Sequence, residues 1–158
     1  MSAKLLLRSD SAATTERFGA ALGRALRPGD LVVLNGDLGA GKTCLARGIV
    51  AGAGGDPGAV RSPTFVLQQP HAGSAMTIQH ADLYRLGPGA VTDVLDIDGA
   101  LADGAVLVEW GEYADLAAYS PATVAIRGEG PGPDDRTLRL LEAPAHLADA
   151  WVDLAVTR

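Results

Sequence analysis

One stretch constrains the fold more than any other. Leu31-Val32-Val33-Leu34-Asn35 is an apolar run suited to a buried strand. It leads into Gly36-Asp37-Leu38-Gly39-Ala40-Gly41-Lys42-Thr43, a G-x-x-x-x-G-K-T pattern. Thr43 to Val50 then continues as a helix. Strand, glycine loop and helix in that order predict a phosphate-binding loop. Glycines let the backbone turn so that successive N–H groups face one anion, and the helix N-terminus adds partial positive charge. Lys42 is expected to reach the β- and γ-phosphates, and the Thr43 hydroxyl to take one position on Mg²⁺.

The chain has 158 residues, 47% of them hydrophobic, enough for one domain with its own core. Its 20 glycines and nine prolines fall between periodic segments and read as loops. A net charge of −6 argues against a broad nucleic-acid-binding face. The single cysteine, Cys44, excludes an internal disulfide and a cysteine metal centre. The short apolar run in Lys4-Leu5-Leu6-Leu7-Arg8 is no signal peptide and no membrane span follows, so a cytoplasmic protein is expected.

Residues 4–8 are predicted as a strand, and Phe18, Leu22 and Leu26 as one face of a helix ending near Pro28. Thr64–Gln68 and Met76–His80 read as a hairpin joined through Pro70–Ser74. Val91, Val94 and Leu95 fit one helical face, and Ala105–Val108 a central buried strand. A short helix is expected near Asp115–Tyr119, and an antiparallel edge pair from Thr123–Arg127 and Thr137–Leu141. A last helix follows Pro144. The expected fold is α/β, a three-layer P-loop NTPase domain over residues 1–158, with a mainly parallel central sheet and antiparallel edge strands.

Hydrolysis of a bound nucleotide needs a carboxylate near Mg²⁺ and a group that orients water. Ligands gather at the carboxyl ends of parallel strands, which singles out Glu109 and Asp82. Ser62-Pro63-Thr64 adds a hydroxyl that could meet the γ-phosphate, or simply a turn before a strand. His80 reads as a packed strand-end histidine and Trp110 as core packing.

Four motifs together closely resemble the bacterial TsaE family. They are the loop Gly36–Thr43, Ser62-Pro63-Thr64-Phe65, His80-Ala81-Asp82-Leu83-Tyr84-Arg85-Leu86 and Val108-Glu109-Trp110. The resemblance implies an ATPase that binds the TsaD–TsaB complex, contacts tRNA only indirectly and supports threonylcarbamoylation of adenosine 37 in tRNA. Hydrolysis is then expected to be weak alone and stimulated by the partners. By resemblance Lys42, Asp82 and Glu109 are catalytic, and Thr43 and Glu109 hold Mg²⁺. ATP is expected to meet Thr15, Gly36, Asp37, Leu38, Gly39, Ala40, Gly41, Lys42, Thr43, Cys44, Thr64 and Arg136. Thr15 and Arg136 are the weaker matches and are assigned to the base or ribose. Cys44 departs from the second threonine common in the family, and Gly87–Asp93 lacks its paired glutamates.

Two other readings share the loop. A small-molecule kinase would use Asp82 as base on an acceptor hydroxyl, although no Arg-rich lid is present and only Arg85 lies near the acids. A nucleotide-dependent interaction module would use hydrolysis only as a timer.

Overall fold

The two apolar runs read as buried strands lie side by side in the middle of a seven-stranded sheet. The computed structural model describes residues 6–61 and 67–156. Its strands are β1 (Leu6–Ser9), β2 (Leu31–Asn35), β3 (Gln68–Ala72), β4 (Thr77–Asp82), β5 (Ala105–Glu109), β6 (Ala122–Gly128) and β7 (Arg136–Glu142). The helices are α1 (Ala12–Ala25), α2 (Lys42–Gly52), α3 (Ile97–Asp103) and α4 (Ala145–Val156). The sheet order is β1-β7-β6-β2-β5-β4-β3. The four strands β6, β2, β5 and β4 run parallel, whereas β7 and β3 run against their neighbours.

Four expectations are corrected. The pair β6–β7 is antiparallel, but it is not the edge: β6 is sandwiched between β2 and β7, and β1 closes that side of the sheet. The hairpin strand begins at Gln68, so Pro70, His71 and Ala72, expected in the turn, pair with β4. Proline is tolerated there because β3 is an edge strand, with one side of its backbone unpaired. Val91 is exposed, outside a 3-10 turn at Thr92–Leu95 that precedes α3, and the 115–119 helix is a 3-10 turn at Ala117–Tyr119. Ser62, Pro63 and Thr64, and with them the strand expected to start at Thr64, lie outside the described residues.

Side chains alternate along a strand, so each strand divides its residues between two faces. Leu7, Val32, Leu34, Ile78, Leu107, Val124, Ile126, Leu138 and Leu140 share one core cluster with Phe18, Leu22, Leu45, Ile49 and Trp151 from α1, α2 and α4. On the other face Leu31, Val33, Ala81, Val106 and Val108 pack with Leu95, Ile97 and Leu116. By the same alternation Ser9, His80, Asp82, Glu109 and Arg136 belong to the α2 face. Ser9, Asp82 and Glu109 end strands that share one direction, and Arg136 begins the strand that opposes them. All four therefore gather at one end of the sheet.

α1 and α2 cross at glycines. A methyl added at Gly23 would lie 2.0 Å from the Ile49 carbonyl oxygen, and one at Gly48 would lie 2.2 Å from that of Glu16. The two backbones are thus in contact, which fixes the helix that carries the loop. Among the described residues no helix is long and apolar enough to cross a membrane.

Candidate active site

The loop leaves β2 at Asn35 and returns as the first turn of α2, as the glycine pattern predicts. Gly41 caps that helix in the left-handed region, at φ 108°, where a side chain would be strained. Among the described residues no side chain caps the helix, and first N–H groups without such a cap suit an anion. The loop walls a cavity of about 360 Å³ together with Cys44, Asp82, Tyr84, Arg85, Glu109 and Trp110.

Lys42 is 5% exposed and lies across this cavity. Its ammonium donates to the carbonyls of Gly36 and Asp37 and sits 3.9 Å from the centroid of the Trp110 ring. Burial pushes its pKa below the ordinary lysine value, while the charges of Glu109, Glu112, Asp82 and Asp37 pull it back up. Trp110 therefore both packs, as expected, and carries the loop lysine on its face. Tyr84 and Tyr113 flank it at ring distances of 5.0 and 5.2 Å.

Thr43 and Glu109 meet: the hydroxyl donates to Glu109 Oε1 at 3.2 Å. Asp82 stands opposite Glu109 in the β4–β5 register, and its Oδ1 accepts from the Tyr84 N–H at 2.9 Å. Both carboxylates are buried, at 2% and 7% exposure. Two hard oxygen donors below a phosphate cradle suit Mg²⁺, which takes one or two protein oxygens and fills its sphere with phosphate and water. Among the described residues no group of three or more His, Cys, Asp or Glu could hold a metal unaided.

Arg136 approaches the loop from behind. Its Nε donates to the Ala40 carbonyl at 2.8 Å and Nη2 to that of Gly39 at 3.3 Å. Those bonds hold two loop carbonyls away from the cavity. Arg136 also lines a second hollow of about 430 Å³ with Arg8, Asp10, Thr14 and Arg17. Thr15 does not line it: its side chain is 2% exposed and its hydroxyl bonds Ser9 Oγ at 2.7 Å. Helical rotation turns Thr15 into the core and its neighbour Thr14 toward the hollow. Cys44 lies at the cavity wall, its thiol donating to the Ala12 carbonyl at 3.4 Å and pushed to higher pKa by burial.

One residue was undervalued. His80 is fully buried, and its Nε2 lies 2.5 Å from Glu109 Oε2. The contact spans 29 residues of sequence, so no local spacing announces it.

The family model described as "Threonylcarbamoyl adenosine biosynthesis protein TsaE" matches residues 9–137. The chain is 48% identical over 98 residues to the tRNA threonylcarbamoyladenosine biosynthesis protein TsaE of Streptomyces coelicolor, covering 60% of this chain and 66% of that one. It is 38% identical over 124 residues to the protein of that name from Treponema pallidum, covering 75% and 88%. With the Rickettsia conorii relative the identity is 42% over 98 residues, covering 62% of this chain and 56% of that one. The chain thus spans two thirds or less of the first curated relatives it matches. The crystal structure of Bacillus subtilis YdiB superposes with a TM-score of 0.74 over 99% of this chain and 97% of that one, at 22% identity. That likeness concerns the fold, a P-loop α/β architecture. The family match covers the phosphate loop, both carboxylates and the latching arginine, and the chain belongs to the TsaE family of tRNA threonylcarbamoyladenosine biosynthesis proteins.

Proposed function

We propose that this chain is a Mg²⁺-dependent ATPase of the cytoplasm that binds the TsaD–TsaB complex and hydrolyses ATP in support of tRNA threonylcarbamoylation. The observation that carries the reading is the Thr43 hydroxyl 3.2 Å from the buried Glu109 carboxylate, below a loop whose lysine and uncapped amides suit a phosphate chain. The amides and Lys42 bind the β- and γ-phosphates and stabilise charge as it develops in transfer. When bound, Mg²⁺ supplies electrostatic neutralisation of those phosphates from Thr43 and Glu109. Asp82, facing the same cavity, orients the attacking water. Arg136 acts on the nucleotide indirectly, through the loop carbonyls it holds. The base and ribose extend toward the hollow lined by Thr14, Arg17 and Arg136, and Thr15 supports that wall from the core side.

Partner stimulation follows from what the cavity lacks. Among the described residues that line it, the cationic groups are Lys42 and Arg85. A partner that supplies further positive charge or excludes water would raise the rate, as activating proteins do for small GTPases.

The test is phosphate release with and without the TsaD–TsaB complex. Slow turnover alone and clear stimulation by the complex are expected, with Lys42→Ala and Glu109→Gln each losing about 100-fold or more. Glu109→Gln turning over normally beside the complex would overturn the metal-site assignment. Tight complex formation with a non-hydrolysable analogue, and no need for turnover, would favour the interaction module.

A further inference from the structure

We infer that His80 is a positioning residue for Glu109: it fixes the carboxylate in the orientation in which Glu109 and Thr43 together receive the metal ion. This rests on the reading of Glu109 as a metal ligand and adds a residue to it.

The geometry is specific. His80 lies on β4 opposite Leu107, and Glu109 is two residues further along β5 on the same face. The imidazole reaches diagonally across the ladder to Oε2 at 2.5 Å, and the Thr43 hydroxyl holds Oε1. A carboxylate only 2% exposed needs such donors, because a buried charge without them is costly. The two donors differ in kind. Thr43 belongs to the loop helix, and its hydroxyl oxygen can itself turn to a cation. His80 sits in the sheet interior, with no exposed surface, and the ring of His71 stands 6.0 Å away. When Thr43 turns to the metal, His80 is the donor left holding the carboxylate.

The remaining ring atom supports this assignment. Among the described residues His80 Nδ1 is buried without a hydrogen-bond partner, and the bond this imidazole makes there is the one to Glu109. A histidine kept for packing alone would be better replaced by an apolar side chain, since an orphaned buried nitrogen costs stability. Donors held behind a metal-binding carboxylate orient it, and their loss usually weakens metal affinity about 10–100-fold.

Two variants that differ by one methylene separate reach from polarity. His80→Gln carries its amide N–H near the Nε2 position and can still meet Glu109, whereas the amide of His80→Asn stops near Nδ1. The readout is Mn²⁺ affinity by electron paramagnetic resonance in the presence of ADP, with ADP affinity in EDTA measured beside it. Expected are Mn²⁺ affinity within about threefold of the parent for Gln, a loss of about tenfold or more for Asn, and metal-free ADP affinity unchanged in both. Equal Mn²⁺ affinities for the Asn and Gln variants would overturn the inference. So would a loss of metal-free ADP affinity matching the loss of Mn²⁺ affinity, which marks general damage. Glu109→Gln separates the two levels: if it leaves Mn²⁺ affinity intact the metal-site reading fails, and if it abolishes it while Asn and Gln agree, only the role of His80 fails.

Discussion

Beneath α1, α2 and α4 the sheet is covered by regular helices of 11 to 14 residues, whereas its other face is covered by the seven-residue α3 and a succession of 3-10 turns. The first cluster is aliphatic apart from Phe18 and Trp151. The second is smaller, and its rim is aromatic, with Trp110, Tyr113 and Tyr119 packed against it. Among the described residues the non-glycines with positive φ are Asp96, Trp110 and Ser120, and all three lie in segments covering the second face. Regular helices satisfy their own backbone, so they can approach to glycine contact and hold the loop helix rigidly. Irregular cover lets the chain end strands abruptly and turn the Trp110 ring toward Lys42. One face frames the phosphate cradle and the other furnishes its rim.

The largest expected effect tests whether the first face is the stability core. Trp151 is fully buried, and Trp151→Ala should cost about 3–5 kcal/mol in urea unfolding. Leu116→Ala, on the second face at 5% exposure, should fall at the low end of the range for such truncations, about 2 kcal/mol, because irregular turns can settle into the space. Equal losses would break the contrast.

Next comes the glycine crossing. An alanine in an exposed helix interior is worth about 1 kcal/mol more than glycine. At Gly23 the new methyl would meet the Ile49 carbonyl at 2.0 Å, so α1 must lift from α2. Gly23→Ala should therefore destabilise by about 1–3 kcal/mol despite the better helix former. A stabilised variant would show that the two helices are not in backbone contact.

The two faces also differ in how much of them can be read from sequence. The loop, α2 and β5 were legible because each is announced by residues adjacent in the chain: a glycine pattern, an apolar run, a helix that follows. The same holds for α1, whose Phe18 and Leu22 are both buried. What was misread depends on distant partners. Pro70 to Ser74 has turn composition, and only the position of β3 at the sheet edge lets Pro70 and His71 serve as strand. That β1 and not β6 closes the sheet is a pairing choice no local pattern records. In the site, Lys42, Thr43, Asp82 and Glu109 were found by motif and do converge on one cavity. The bond of His80 to Glu109 and the latch of Arg136 on Ala40 span 29 and 96 residues and were invisible. Thr15, placed by the resemblance near the base or ribose, is buried against Ser9, and its neighbour Thr14 lines the hollow beside Arg136.

The first face has its own weak point at its far edge, where His71 and His80 replace aliphatic side chains. Burial, and then the charge of His80, lower the His71 pKa below its ordinary value near 6.5. As pH falls through 6.5 the unfolded chain takes up this proton before the folded one does, so stability drops with falling pH until the folded group also titrates. Within that window each pH unit removes up to about 1.4 kcal/mol. His71→Gln should flatten the acid limb of a stability–pH curve from chemical unfolding, and an unchanged limb would show that His71 is not desolvated.

The smallest expected effect probes the strain confined to the second face. Ser120 closes the 3-10 turn at Ala117–Tyr119 with φ 48° and ψ 56°, a left-handed conformation that costs an L-residue about 1–2 kcal/mol. Glycine adopts it freely but gives back about 0.4–1 kcal/mol through the greater freedom of the unfolded chain. Ser120→Gly should thus raise stability by a few tenths to about 1 kcal/mol, read as a small rise in Tm. The gain would come without any new contact, since only the backbone conformation is relieved. Ser120→Ala keeps the side-chain strain and loses only the hydroxyl, so it should show no gain. If Gly and Ala behaved alike, backbone strain would not distinguish the two faces, and the irregular cover would owe its form to packing alone.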